Sequence, residues 1–144
     1  MNPDMIEDDI KLHVKTNLSA LWVSTMMCYL YADYIALLSP GMIQRIMDGN
    51  LGGWETTPGF LLGSTVIMVI PSVLIYLTLA LKSTVSRWLN MIFGVLYMAI
   101  AFVTTVNAWK YDLYYYILFG TVEIVLTGLI VWYAWKWSKR DVEV

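Results

Sequence analysis

Polar residues divide this 144-residue chain into four long apolar runs. The first, residues 18–38, holds one carboxylate, Asp33, close to its far end. At 1.5 Å per residue a run of about 21 residues extends about 31 Å, the thickness of a bilayer's hydrocarbon core. Further runs of spanning length cover residues 59–81, 88–107 and 113–135, and the last carries Glu123. Asn17 or Ser19 can cap the first span, and Thr57 followed by Pro58 gives a cap-then-proline start for the second. Ahead of the first span, Ile10, Leu12 and Val14 alternate with Lys11, His13 and Lys15, which predicts a short extended or interfacial lead-in. After it, Ser39, Pro40 and Gly41 stop one helix and start another. Met42, Ile43, Ile46 and Met47 then share a face opposite Gln44, Arg45 and Asp48, so residues 40–48 read as a short helix lying in the interface. Residues 50–57 form a Gly-containing linker, and residues 82–87 and 109–112 form turns. Pro71 with Ser72 predicts a kink in the second span, tolerable if a neighbour satisfies the carbonyl that proline frees. Gly59 and Gly63 have the spacing that lets helices approach closely in lipid.

Composition makes water an unsuitable main solvent: 59% of the residues are hydrophobic and 14% charged. The pattern therefore predicts an all-α polytopic membrane protein, an antiparallel bundle of four transmembrane helices forming one domain over residues 1–144. No short apolar core with a following small-residue cleavage site is present, so the first helix is expected to stay attached as an anchor. A net charge of -2 points to neither nucleic acid nor a strongly charged partner. Lys11, Lys15, Lys82, Arg87, Lys136, Lys139 and Arg140 fall on one side of the bundle and only Arg45 and Lys110 on the other, which predicts that both termini are cytoplasmic. Aromatic residues fit two boundary belts, with Trp22, Trp88, Trp132, Trp135 and Trp137 inside and Trp54, Trp109, Tyr111 and Tyr114 to Tyr116 outside.

Candidate chemistry centres on the two acids. An ionised side chain in hydrocarbon costs about 2.5–3.5 kcal/mol on insertion scales, so it must face protein, water or a ligand. No Lys or Arg lies within the four runs to neutralise Asp33 and Glu123. Both belong to the outer half of the bundle by helical rise. Tyr29 precedes Asp33 by one turn, Tyr116, Gly120, Glu123 and Thr127 share a face, and Thr104 and Asn107 of the third span fall near the same level. These residues predict an outward-facing pocket, lined by Asp33, Glu123, Tyr29, Tyr116, Thr104 and Asn107, that takes up a proton or a small cation. A second reading makes the acids helix-joining groups in a non-catalytic interaction subunit or assembly factor, whose partner is a second copy or another membrane protein. An enzyme acting on lipid fits least. His13 lies at the inner boundary, far from Asp33, which rules out a Ser-His-Asp or Cys-His set in one pocket. His13 with Asp8 and Asp9 is better read as a solvated lead-in than as a metal site. Cys28, the one cysteine, reads as a packed small side chain and can form no disulfide within the chain. No catalytic set, metal site or cofactor is predicted.

Several stretches together resemble a known family: Leu-Ser-Ala-Leu-Trp at residues 18–22, Tyr-Ala-Asp-Tyr at 31–34, Pro40-Gly41, residues 70–72, 80–82 and 87–90, and Val-Trp-Tyr-Ala-Trp-Lys-Trp at 131–137. The chain is similar over nearly its whole length to a family of uncharacterised small bacterial membrane proteins with four spans. That resemblance implies the four-span fold, a bacterial inner-membrane location and acidic residues at the positions of Asp33 and Glu123. It implies no particular activity.

Overall fold

The computed structural model describes residues 3–51, 54–110 and 113–140, with the side chains of residues 3–11, 110 and 138–140 left undescribed. In chain order the elements are α1 (Pro3–Leu37), α2 (Met42–Met47), β1 (Asn50–Leu51), β2 (Trp54–Glu55), α3 (Pro58–Ala80), α4 (Ser83–Lys110) and α5 (Tyr114–Arg140). Four of them contain stretches long and apolar enough to cross a membrane: Leu12–Leu37, Pro58–Ala80, Ser83–Trp109 and Tyr114–Trp137. They form an all-α four-helix bundle. Successive helices reverse direction, and the contacts run α1 to α3, α3 to α4, α4 to α5 and α5 back to α1, so α1 and α4 stand on a diagonal. The first and last described residues, Pro3 and Arg140, lie at one end of this bundle, here the termini end; α2 and the β1–β2 pair lie at the other, the loop end.

About half of the residues in the four spanning stretches are exposed, and the buried ones form a narrow central stripe. Val14, Leu18, Trp22, Thr25 and Ala32 supply it from α1. Their three- and four-residue spacing is that of one helix face. Val14 belongs to this stripe, and that corrects the expected lead-in: α1 runs unbroken from Pro3 with no extended segment before the span. No Pro or Gly interrupts residues 4–38, and adding a turn to an existing helix costs far less than starting one. Asn17 and Ser19 are accordingly helix-interior residues and not caps, and the Ser19 hydroxyl instead donates to the Ile75 carbonyl of α3 at 2.9 Å.

The connections also differ from the sequence expectation. Only Leu81 and Lys82 separate α3 from α4, because Ser83 to Arg87 are helical, and the Ser86 hydroxyl donates to the Thr78 carbonyl at 2.9 Å. The short helix expected over residues 40–48 is confined to Met42–Met47. Gly41 precedes α2 in the left-handed region at φ 76°, and Gly49 closes it at φ 74°. Both positions need glycine's freedom at positive φ. The supposed linker holds a short antiparallel pairing of Asn50 with Glu55 and Leu51 with Trp54. Thr57 caps α3 as expected, accepting from the Phe60 N–H at 3.1 Å, with Pro58 in the first turn. Tyr111 and Asp112 of the expected final turn lie outside the described residues, as do the side chains of Asp8 and Asp9.

Two features hold the bundle at its middle. Pro71 lies inside α3 without ending it and, lacking an N–H, leaves the Ile67 carbonyl without its helical donor. The Tyr97 hydroxyl of α4 donates to that carbonyl. Gly94 and Gly120 let α4 and α5 approach closely: a Cβ on Gly94 would stand 2.8 Å from a Val131 methyl carbon, and one on Gly120 would collide with the Thr105 hydroxyl. Gly59 and Gly63 do not play the expected part within the chain, since no atom of another helix lies within 4 Å of a Cβ built on either. Trp22 and Trp137 are likewise core residues and not belt residues, at 0% and 3% exposed. Trp54, Trp88, Trp109, Trp132 and Trp135 stay on the surface.

Candidate functional site

The stripe that fills the bundle is not uniformly apolar. Seven of its buried residues are polar or charged: Ser19, Thr25, Thr78, Ser86, Asn90, Glu123 and Thr127. They separate into a neutral group towards the termini end and an acidic group towards the loop end.

Asn90 organises the neutral group. Its carboxamide oxygen accepts from the Trp22 indole N–H at 2.7 Å, and its amide donates to the Ser86 carbonyl at 2.7 Å and to the Thr78 hydroxyl at 3.1 Å. One side chain thus joins α1, α3 and α4, with both polar atoms of its carboxamide matched. Nothing in the spacing of single residues marks this network in the sequence. Its only trace is that Trp22, Thr78, Ser86 and Asn90 are polar or amphipathic at inward positions near one level.

The acidic group lies where α1 meets α5. Asp33 is half-buried, one turn from the end of α1, and accepts from the Tyr116 hydroxyl at 2.6 Å. Glu123 lies about two turns deeper along α5 and is 3% exposed. Its backbone carbonyl accepts from the Thr127 hydroxyl at 2.7 Å, but among the described residues its carboxyl has no hydrogen-bond partner. Tyr29, one turn below Asp33, has a buried hydroxyl that is also unpartnered. Glu123 stands within electrostatic range of Asp33, Tyr29, Tyr116 and Cys28. Beneath Tyr29 the Tyr97 ring packs edge-on at 6.5 Å, and Trp22 packs against Tyr97 at 5.5 Å. These aromatic rings separate the acids from the Asn90 network.

Of the six residues the sequence suggested, the structure brings Asp33, Glu123, Tyr29 and Tyr116 together. It does not bring Thr104 and Asn107 to them. Both are exposed on α4, whose buried row is Ser86, Asn90, Gly94, Tyr97, Ala101 and Ala108, and the Thr104 hydroxyl turns back to the Ala101 carbonyl at 3.0 Å. Asn107 lies off that row; Thr104 keeps its spacing, between Ala101 and Ala108, yet is exposed, so neither common depth nor helical spacing placed it at the site. Among the described residues no Lys or Arg pairs with either acid, and no three His, Cys, Asp or Glu side chains stand close enough to ligate one metal ion. The other end of α5 offers a different arrangement: a cavity of about 280 Å³ between α1 and α5, lined in part by His13, Asn17, Lys136 and Trp137.

Helices of spanning length and apolar surface around a partly polar interior define a four-helix membrane-type bundle. The chain belongs to a family of unknown function, DUF6326, which matches residues 7–144. No curated protein and no solved structure matches it.

Proposed function

We propose that this chain is a small multi-pass membrane protein that binds and moves a proton through the Asp33–Glu123 site, with both termini cytoplasmic and the acids in the outer half. One observation carries the reading. Glu123 is enclosed at 3% exposure, near a second carboxyl, with no cation and no hydrogen bond to its own among the described residues. An ionisable side chain so enclosed is costly to place inside a span, and the group best able to enter without a preformed cage of ligands is a proton. Tyr116 and Tyr29 supply hydroxyls at the two levels between the loop end and Glu123, suited to pass a proton inwards. A small cation is the less favoured passenger, because among the described residues no three His, Cys, Asp or Glu side chains stand together to ligate one.

The helix-joining alternative has its own observation, the Tyr116–Asp33 hydrogen bond between α5 and α1. It accounts for Asp33 and leaves Glu123 unexplained. The two readings separate in purified protein reconstituted into liposomes. On a pH step, infrared difference spectra of the wild type should show a protonated-carboxyl band that Glu123→Gln removes, and an imposed pH gradient should decay faster than in protein-free liposomes, with Glu123→Gln abolishing the difference. A wild type with no titrating carboxyl band and a gradient decay equal to that of empty liposomes would defeat the proposal.

A further inference from the structure

We propose a second site, at the termini end and independent of the acids, in which the cavity between α1 and α5 binds a phosphate group. Trp137 lines this cavity and is 3% exposed, and its indole N–H is buried without an acceptor. Indole is a donor only, and leaving such a group unsatisfied costs about 1–3 kcal/mol. The side chains beside it are donors as well. Lys136 brings an ammonium group, held 4.9 Å from the Trp132 ring centroid. Asn17 and His13 line the same space, and neither side chain is engaged in a hydrogen bond among the described residues. Among the described residues no acidic side chain lines it. Trp137 and Lys136 can only donate, and Asn17 and His13 can each donate as well, so the lining suits an anion with several acceptor oxygens, and a phosphate meets that demand better than a monatomic ion or a single carboxylate. Trp137 and Glu123 are 14 residues apart on α5, about 21 Å along the axis, so this site shares no residue with the proton site.

The position narrows the source. Trp132, half-exposed beside Lys136 near the end of a spanning stretch, has the character of a membrane-boundary residue, where phospholipid headgroups present phosphates. A soluble phosphate offers the same chemistry, and the test separates them. The full chain, labelled with 15N at its indole nitrogens in an uncharged maltoside detergent, is titrated in three arms with phosphatidylglycerol, inorganic phosphate and diacylglycerol. The Trp137 N–H resonance, assigned by its loss in Trp137→Phe, should move saturably with phosphatidylglycerol, and Lys136→Gln should weaken that binding about tenfold. Movement with the lipid alone identifies a headgroup, and movement with inorganic phosphate as well identifies a general phosphate site. Native mass spectrometry of phosphatidylglycerol retained by wild type and Lys136→Gln gives a readout that does not depend on Trp137→Phe folding. Equal response to diacylglycerol, no response to either phosphate species, or unchanged affinity in Lys136→Gln would overturn the assignment.

Discussion

Replacing Tyr97 by Phe tests how the bundle tolerates a proline in the middle of a membrane-type helix. The substitution keeps the ring that packs on Trp22 and Tyr29 and removes only the hydroxyl that donates to the Ile67 carbonyl. An average helix-joining hydrogen bond in a membrane protein is worth about 0.6 kcal/mol, because the separated helices find other partners. This case should exceed the average. Residue 71 is the one position that could supply the helical donor to Ile67, and as proline it has none. Tyr97 is 1% exposed, so nothing outside the bundle replaces its hydroxyl, and the loss should cost about 1–2 kcal/mol, within the range for an orphaned buried carbonyl. In a Pro71→Ala background the helical N–H returns, the carbonyl is satisfied within α3, and Tyr97→Phe should cost less than about 0.5 kcal/mol. The expected coupling, about 1 kcal/mol, exceeds the 0.3–0.5 kcal/mol within which independent changes add. The assay is reversible unfolding of all four proteins in mixed micelles, followed by helical circular dichroism. Equal costs for Tyr97→Phe in both backgrounds would refute the account, for the hydroxyl would then not be standing in for the N–H that Pro71 lacks.

Other substitutions probe the remaining interior. Asn90→Leu removes the acceptor of the Trp22 indole and should destabilise by about 1–3 kcal/mol, and adding Trp22→Phe to it should cost less than Trp22→Phe alone in the same unfolding assay. Gly120→Ala drives a Cβ into the Thr105 hydroxyl and should cost about 1–3 kcal/mol, partly recovered by Thr105→Ala, whereas Gly63→Ala, in open space, should stay within about 0.5 kcal/mol. Asp33→Asn retains an oxygen to accept from Tyr116 and should change stability by less than about 0.5 kcal/mol. Tyr116→Phe, which leaves Asp33 without its donor, should cost about 1 kcal/mol or more, and the reverse order would show that the charge at residue 33 supports the fold.

The helix count and the course of the bundle were readable because spanning runs are long and a bilayer sets their length. Ends were less readable. Ser83 and Ser86 resemble turn residues in composition, yet Ser86 points inwards to tie the start of α4 to the end of α3. Ile10 to Lys15 alternate like a strand, but a helix already under way imposes its own period on them. Within the site, Tyr29, Asp33, Tyr116 and Glu123 were found by helical spacing on single helices, and spacing fixes which residues share a face. It does not fix whether a position on that face is covered at its own level: Thr104 keeps step with the buried row of α4 and is exposed, while Asn107 is off the row. Glycines show the same limit: the motif at Gly59 and Gly63 obeys the rule for close approach, while the close approaches are made by Gly94 and Gly120, which sit opposite Val131 and Thr105 on a neighbouring helix.

The contrast between the two polar groups bears on what Glu123 is for. Where the bundle only needs joining, it uses neutral side chains whose donors and acceptors are matched: Asn90 to Trp22 and Thr78, Ser86 to a carbonyl, Ser19 to a carbonyl, Tyr97 to the carbonyl that Pro71 frees. Each such bond returns about 0.6 kcal/mol on average, whereas an ionisable residue carried to the middle of a span costs about 2.5–3.5 kcal/mol. A glutamine at position 123 would join helices as well as the glutamate at smaller cost, and the glutamate has no hydrogen-bond partner among the described residues to offset the difference. The feature that distinguishes glutamate from glutamine is that it can release and recover a proton. The proposed function uses that difference at Glu123, 3% exposed and set near Asp33 and the unpartnered Tyr29 hydroxyl, whereas adhesion between helices does not call on it.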